Sequence, residues 1–268
     1  MNKSMIGYSF ETEIKPITIQ DVSSFALATQ DNNLFYNKDS FAPPFLLYKL
    51  TFPLIKKLLT HKKLNINLLK GVFAEQKISW YHPLKVDEQL KIKIEILDII
   101  ETSVGEKIEI KGQGFKNDIL IVESTTGFIV RNKSKKKFKK QIQQKVLNEK
   151  SRIEIQTEKG QESNFAQASG DYNFIHTNRF LAKCAGFKGT ILHGACVMAM
   201  SSSKLTEKIL MNDISRIVSL NGRFGNPVYP GEKLILIGFE SENENSIPFE
   251  VVNSIGKSVF KNGKLEYK

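Results

Sequence analysis

The sequence predicts an α+β protein built from two tandem copies of one unit, each an antiparallel sheet with a central helix. Three observations carry this. Residues 25–36, FALATQDNNLFY, lie over residues 165–176, FAQASGDYNFIH, at a constant offset of 140, and 83–90 lie over 227–234 at an offset of 144. Such self-similarity indicates duplication of a structural unit. Each copy also ends in runs where apolar and polar residues alternate, the period of a strand with one buried face. Between them, residues 194–210 are small or apolar all round, the composition of a buried helix.

Taken in order, the N-terminal unit is expected over residues 1–130. Its strands are marked by Leu90, Ile92, Ile94 and Ile96 alternating with Lys91, Lys93 and Glu95, then by Ile108-Glu109-Ile110 and by 119–130. Residues 131–150 form a basic linker, and the second unit spans 151–268. There a short helix over 163–168 gives way to Ser169-Gly170-Asp171-Tyr172-Asn173, a cluster of turn formers. The buried helix follows, then strands at 234–239, 249–252 and 259–260, with Asn262-Gly263 expected as a hairpin turn.

Composition bounds the function. The 268 residues carry a net charge of +11. Eight basic residues and no acidic ones fall between Arg131 and Lys145, leaving 31 basic against 28 acidic groups elsewhere. The charge therefore belongs to one segment, read as a solvated connector or as a patch for an anionic partner. No motif or aromatic stripe supports nucleic-acid binding. No apolar run is long enough for a membrane span, and no secretory signal is apparent, so the cytoplasm is the expected compartment. Cys184 and Cys196 are expected as reduced thiols, and the four histidines lack metal-ligand spacing, so no metal is expected.

The chemistry concentrates in the second unit. Asp171 and His176, five residues apart with Asn173 between them, can converge on one water if their segment loops over a pocket, which is acid–base equipment. His193-Gly194 marks the start of the buried helix. The free N–H groups and positive dipole end there can bind a carbonyl oxygen and the charge developing on it, with Gly194 leaving room for the approach.

Residues 165–202, FAQASGDYNFIHTNRFLAKCAGFKGTILHGACVMAMSS, resemble the signature of MaoC-like (R)-specific enoyl thioester hydratases and 3-hydroxyacyl dehydratases. Asp171, Asn173, His176, Ala185-Gly186-Phe187, His193 and Gly194 stand at that family's spacing, while Phe174 stands where the family usually has proline. The resemblance implies the double-hotdog fold, two sheets joined edge to edge around two helices, with one active site. It implies Asp171, His176, Asn173 and Gly194 as catalytic groups, and His193, Ser202 and Phe187 at the substrate. The expected substrate is a thioester of coenzyme A or acyl carrier protein, with no further cofactor and with a homodimer of such chains as an assembly. Tyr36 replaces the histidine in the first copy, which is expected to be inert and to wall the acyl tunnel. A hotdog thioesterase and a non-catalytic acyl-thioester binder are the alternatives.

Overall fold

The computed structural model describes residues 1–38, 40–131 and 148–268. Most of the expected basic linker lies outside the described residues. At its margins Arg131 and Glu149-Lys150 belong to strands.

The first unit contains β1 (Ser9–Glu13), α1 (Ile19–Ala28), α2 (Phe35–Lys38), α3 (Leu47–Leu59), β2 (Gly71–Trp80), β3 (Lys91–Thr102), β4 (Gly105–Lys116) and β5 (Ile119–Arg131). The second contains β6 (Glu149–Gln156), α4 (Gln161–Ser169), α5 (Phe174–Thr177), α6 (Arg179–Cys184), α7 (Gly194–Ile209), β7 (Ile217–Phe224), β8 (Lys233–Phe239), β9 (Ser246–Asn253) and β10 (Ser258–Tyr267). All ten strands form one sheet in the order β1-β3-β4-β5-β2-β7-β10-β9-β8-β6. The order reads the same from either edge once each strand is exchanged for its duplicate. This is the expected double hotdog.

The duplication can be checked at the seam. β2 and β7 pair antiparallel with Lys77 opposite Asn221, residues that are each other's image at the 144 offset. A residue facing its own duplicate marks a local two-fold axis. The same axis brings Phe25 of α1 against Phe165 of α4, duplicates at the 140 offset, with ring centroids 5.6 Å apart. Both rings are fully buried, and burying a phenylalanine contributes roughly 1.5–3 kcal/mol. Gln161 adds a polar tie across the axis, donating from Nε2 to the Ala28 carbonyl at 3.1 Å.

The central helices differ in how they meet their sheets. α3 buries one stripe, including Leu47, Thr51, Phe52, Ile55, Leu58 and Leu59, while α7 buries an unbroken run from Cys196 to Ser202 as well as Leu205 and Thr206. Small residues such as Ala199, Ser201 and Ser202 let α7 enter deeply.

One expectation is corrected. Asn262-Gly263 is no hairpin turn but a bulge within β10, where Asn262 takes φ +50° and the register shifts between Lys261 and Lys264 against β7. Pairing resumes beyond it, and the β9–β10 turn comes earlier, at Gly256 with φ +74°. Asn-Gly supplies positive φ equally well to a turn and to a bulge, so the dipeptide does not distinguish them. Glycine is needed at 263 because a Cβ there would meet the Phe249 ring at 2.7 Å. Gly263→Ala should therefore lower stability by about 1–3 kcal/mol, the usual cost of overpacking, read as a reduced urea midpoint with unchanged slope.

Candidate active site

The turn carrying Asp171 and His176 is determined locally. α4 stops because Gly170 takes the left-handed conformation, φ +79°, and donates its N–H back to the Ala166 carbonyl. The chain then reverses into the protein. The Asp171 N–H donates to Ser169 Oγ, and the Asn173 N–H donates to Asp171 Oδ1 at 3.2 Å. Asn173 also caps α5, its Oδ1 accepting from the Ile175 N–H at 3.4 Å. Asn173 thus ties the helix carrying His176 to the carboxylate of Asp171. Phe174, in place of the family's proline, is the first residue of α5, and this capping holds the turn that a proline ring would have stiffened.

Asp171, His176 and His193 are all buried, and one ligand-type atom from each lies within 4.8 Å of the others. The histidine tautomers follow from their partners. His176 Nδ1 is 2.8 Å from the Ile191 carbonyl, which can only accept, so Nδ1 carries the proton and Nε2 presents a lone pair. His193 Nε2 likewise donates to the Asp171 carbonyl at 2.9 Å, leaving its Nδ1 as a buried acceptor without a hydrogen-bond partner among the described residues. The two rings stack with centroids 3.6 Å apart. Burial lowers the pKa of His176, with partial opposition from the nearby Asp171 carboxylate. Burial and the adjacent His176 hold that of His193 well below the ordinary histidine value. Both rings are neutral near pH 7.

The three groups also satisfy the spacing of a metal site. One nitrogen of each ring donates to a carbonyl, as it also does in histidines that hold a metal, so the donor set suits either a hydrogen-bonded water or a cation.

These side chains open onto a cavity of about 870 Å³. Asn173, Phe187 and Gly194 also reach it, and the first unit supplies much of the facing wall through Phe73, Gln76 and Phe128 of β2 and β5. α7 begins at His193 with no side-chain cap, so the positive end of its dipole points at the cavity. Packing adds a reason of its own for Gly194: a Cβ there would meet the Phe224 ring at 2.6 Å.

Ser202 is not brought to this cavity. Eight residues along α7 from Gly194, or roughly 12 Å at the helical rise, it lines the small space beside Asp31 and Tyr36. That space is the first unit's counterpart of the site. The Tyr36 hydroxyl donates to Asp31 Oδ2, and about 10 Å³ remains, room for no more than a single water.

Two contributors were not found by reading the sequence. The Ile191 carbonyl fixes the tautomer of His176, a backbone role no residue type announces. Tyr48, on α3 of the first unit, donates its hydroxyl to Asp171 Oδ2 at 2.7 Å. Burial and the neighbouring carboxylate push its phenol pKa well up, so it remains a donor.

Comparison with known proteins agrees with this architecture. Residues 137–256 match the MaoC-like domain and residues 4–118 match the FAS1-like dehydratase domain region. The chain is 27% identical over 178 residues to the peroxisomal multifunctional enzyme type 2 of Mus musculus, covering 64% of this chain but only 24% of that protein. It is 26% identical over 210 residues to 3-hydroxyacyl-thioester dehydratase Y of Mycobacterium tuberculosis, covering 72% of this chain and 71% of the other. The crystal structure of a MaoC-like dehydratase from Phytophthora capsici superposes with a TM-score of 0.86 at 20% identity, covering 100% of this chain and 98% of that one. Dehydratase-type domain models thus match both halves of the chain, residues 4–118 and 137–256, and the duplicated sheet is the fold of the MaoC-like double-hotdog structures.

Proposed function

We propose that the protein catalyses reversible addition of water across a trans-2-enoyl thioester to give the (R)-3-hydroxyacyl thioester, as a hydro-lyase of fatty-acid metabolism. The observation that carries this is the convergence of Asp171, His176 and the start of α7 on one cavity, with the lone pair of His176 on Nε2. A water held between the Asp171 carboxylate and Nε2 lies within reach of both. The pair takes a proton from the water as its oxygen attacks the β-carbon and returns a proton to the α-carbon, so one H and one OH add in balance. Both come from the face the pair occupies, which makes the addition syn. Negative charge developing on the thioester oxygen falls to the N–H groups opening α7. Asn173 holds the pair in register, while His193 and Phe187 border the substrate.

The second unit, 151–268, is the catalytic one, and the first, 1–130, walls the acyl tunnel. A thioester of coenzyme A or acyl carrier protein is its substrate, and the basic segment at 131–150 is a connector able to attract either carrier. Cytoplasmic residence and assembly as a homodimer belong to the same proposal. Among the described residues no helix is long and apolar enough to cross a membrane. The Mus musculus relative is named peroxisomal, so cell fractionation is the observation that tests the compartment.

With crotonyl-coenzyme A and longer trans-2-enoyl thioesters, the purified protein should bleach the conjugated enoyl absorbance without releasing thiol. Asp171→Asn and His176→Ala should each lower the rate by about 10²- to 10⁴-fold. Their double variant should be scarcely worse, since groups sharing one water act as a unit. Thiol release would reassign the protein as a thioesterase, and tight binding without turnover as an acyl-thioester binder.

A second expectation concerns pH. His176 must be neutral to accept a proton, and its lowered pKa keeps it neutral further into acid than a free histidine. On the acid side, protonation of His176 should therefore reduce kcat/KM only below the ordinary value of 6.5. A histidine-dependent limb centred above that value would contradict the assignment.

A further inference from the structure

The first unit has lost its own acid–base pair, yet one of its side chains touches the acid of the second. Both oxygens of the Asp171 carboxylate are held: Oδ1 accepts from the Asn173 N–H, and Oδ2 accepts from the Tyr48 hydroxyl. His193 Nε2 stands off Oδ2 at 3.9 Å, its proton directed to the Asp171 carbonyl. An ionised carboxylate has about four acceptor positions. Two anchors fix its plane and leave the remaining positions for a water.

The pseudo-two-fold axis shows how unusual the second anchor is. Across the axis, Asp31 accepts from Tyr36 of its own unit, with Ser203 of the opposite helix α7 lining the same small space. Matching α7 to α3 with the turn before it, Pro44 upon Gly194 and Leu59 upon Ile209, sets Phe52 where Ser202 stands and Pro53 where Ser203 stands. Neither can donate. Tyr48 lies one turn earlier, opposite Met198, and its length carries a hydroxyl across the gap. Phe52 stacks on its ring with centroids 5.3 Å apart, and Phe165 lies against it at 5.8 Å. The ring is therefore held on two sides.

We propose that Tyr48 is the positioning residue for Asp171, supplied by the unit whose own site is degenerate, so that the active site spans both copies. This rests on the reading of Asp171 as part of the water-activating pair. Replacement by phenylalanine keeps both ring contacts and deletes only the hydroxyl.

The test compares wild type with Tyr48→Phe on crotonyl-coenzyme A. Loss of a hydrogen bond to a charged acceptor should lower kcat by about 10- to 100-fold. KM should stay within about threefold and the protein should stay folded, a loss in kcat without a matching loss of affinity that a merely structural role would not give. A folded Tyr48→Phe protein with wild-type kcat overturns the proposal. If wild type itself does not turn over, the hydration reading fails, and the contact is decided without turnover by the hydroxyl proton resonance of Tyr48. Strong downfield placement in wild type and an upfield shift in Asp171→Asn support the assignment. A Tyr48 resonance indifferent to Asp171→Asn overturns it.

Discussion

A carboxylate buried to 2% exposure with no lysine or arginine among its contacts in the described residues constrains the whole second unit. Burying such a group without partners costs several kcal/mol, and what satisfies Asp171 is assembled from four places. Gly170 turns the chain inward, Ser169 holds the Asp171 amide, the Asn173 amide reaches one oxygen, and Tyr48 reaches the other. His193 then uses the Asp171 carbonyl to set its own tautomer and stacks on His176. Changing any one of these groups disturbs the rest, so the site is a network rather than a pair of reacting residues.

Duplication explains why each sheet needs its copy. A single sheet of this kind would end at β2 or β7 with an unpaired edge, and joining the two strands satisfies both edges at once. The cavity opens along the same seam, so its wall is drawn from both units. Once the copies were in one chain, each was free to diverge. In the first, Tyr36 fills the space a histidine would border and bonds Asp31, and burial raises the pKa of both groups. That pair is a packing element. In the second, Asp171 keeps an open cavity before it.

Much of this was legible in the sequence, because period-two alternation and the repeat act over short windows. The strands at β3, β4 and β5, the buried helix at α7 and the turn at Asp171 follow from residues adjacent in the chain. What escaped was set by position relative to the axis. Ser202 matches the family signature, but α7 crosses the seam within two turns and delivers that serine to the other unit's acid. Tyr48 lies 123 residues from its partner, and no spacing rule connects them. Asn262-Gly263 was misread for a different reason: the dipeptide states a backbone conformation, and only the pairing on both flanks makes it a bulge.

The exchange of helices across the axis also bears on how the second site could remain exacting while the first decayed. Asp171 depends on α3, a helix of the degenerate unit, so relaxation of the first site does not extend to the face of α3 that bears Tyr48. Asp31 depends in turn on α7, whose first turn faces the catalytic cavity and whose later turns face the closed one. One rigid helix therefore serves an open site at its start and a packed one near its middle. Any shift that opened the closed space would move the N–H groups that begin α7 at the cavity. The closed space is better understood as the footing of α7, which holds that helix end in place.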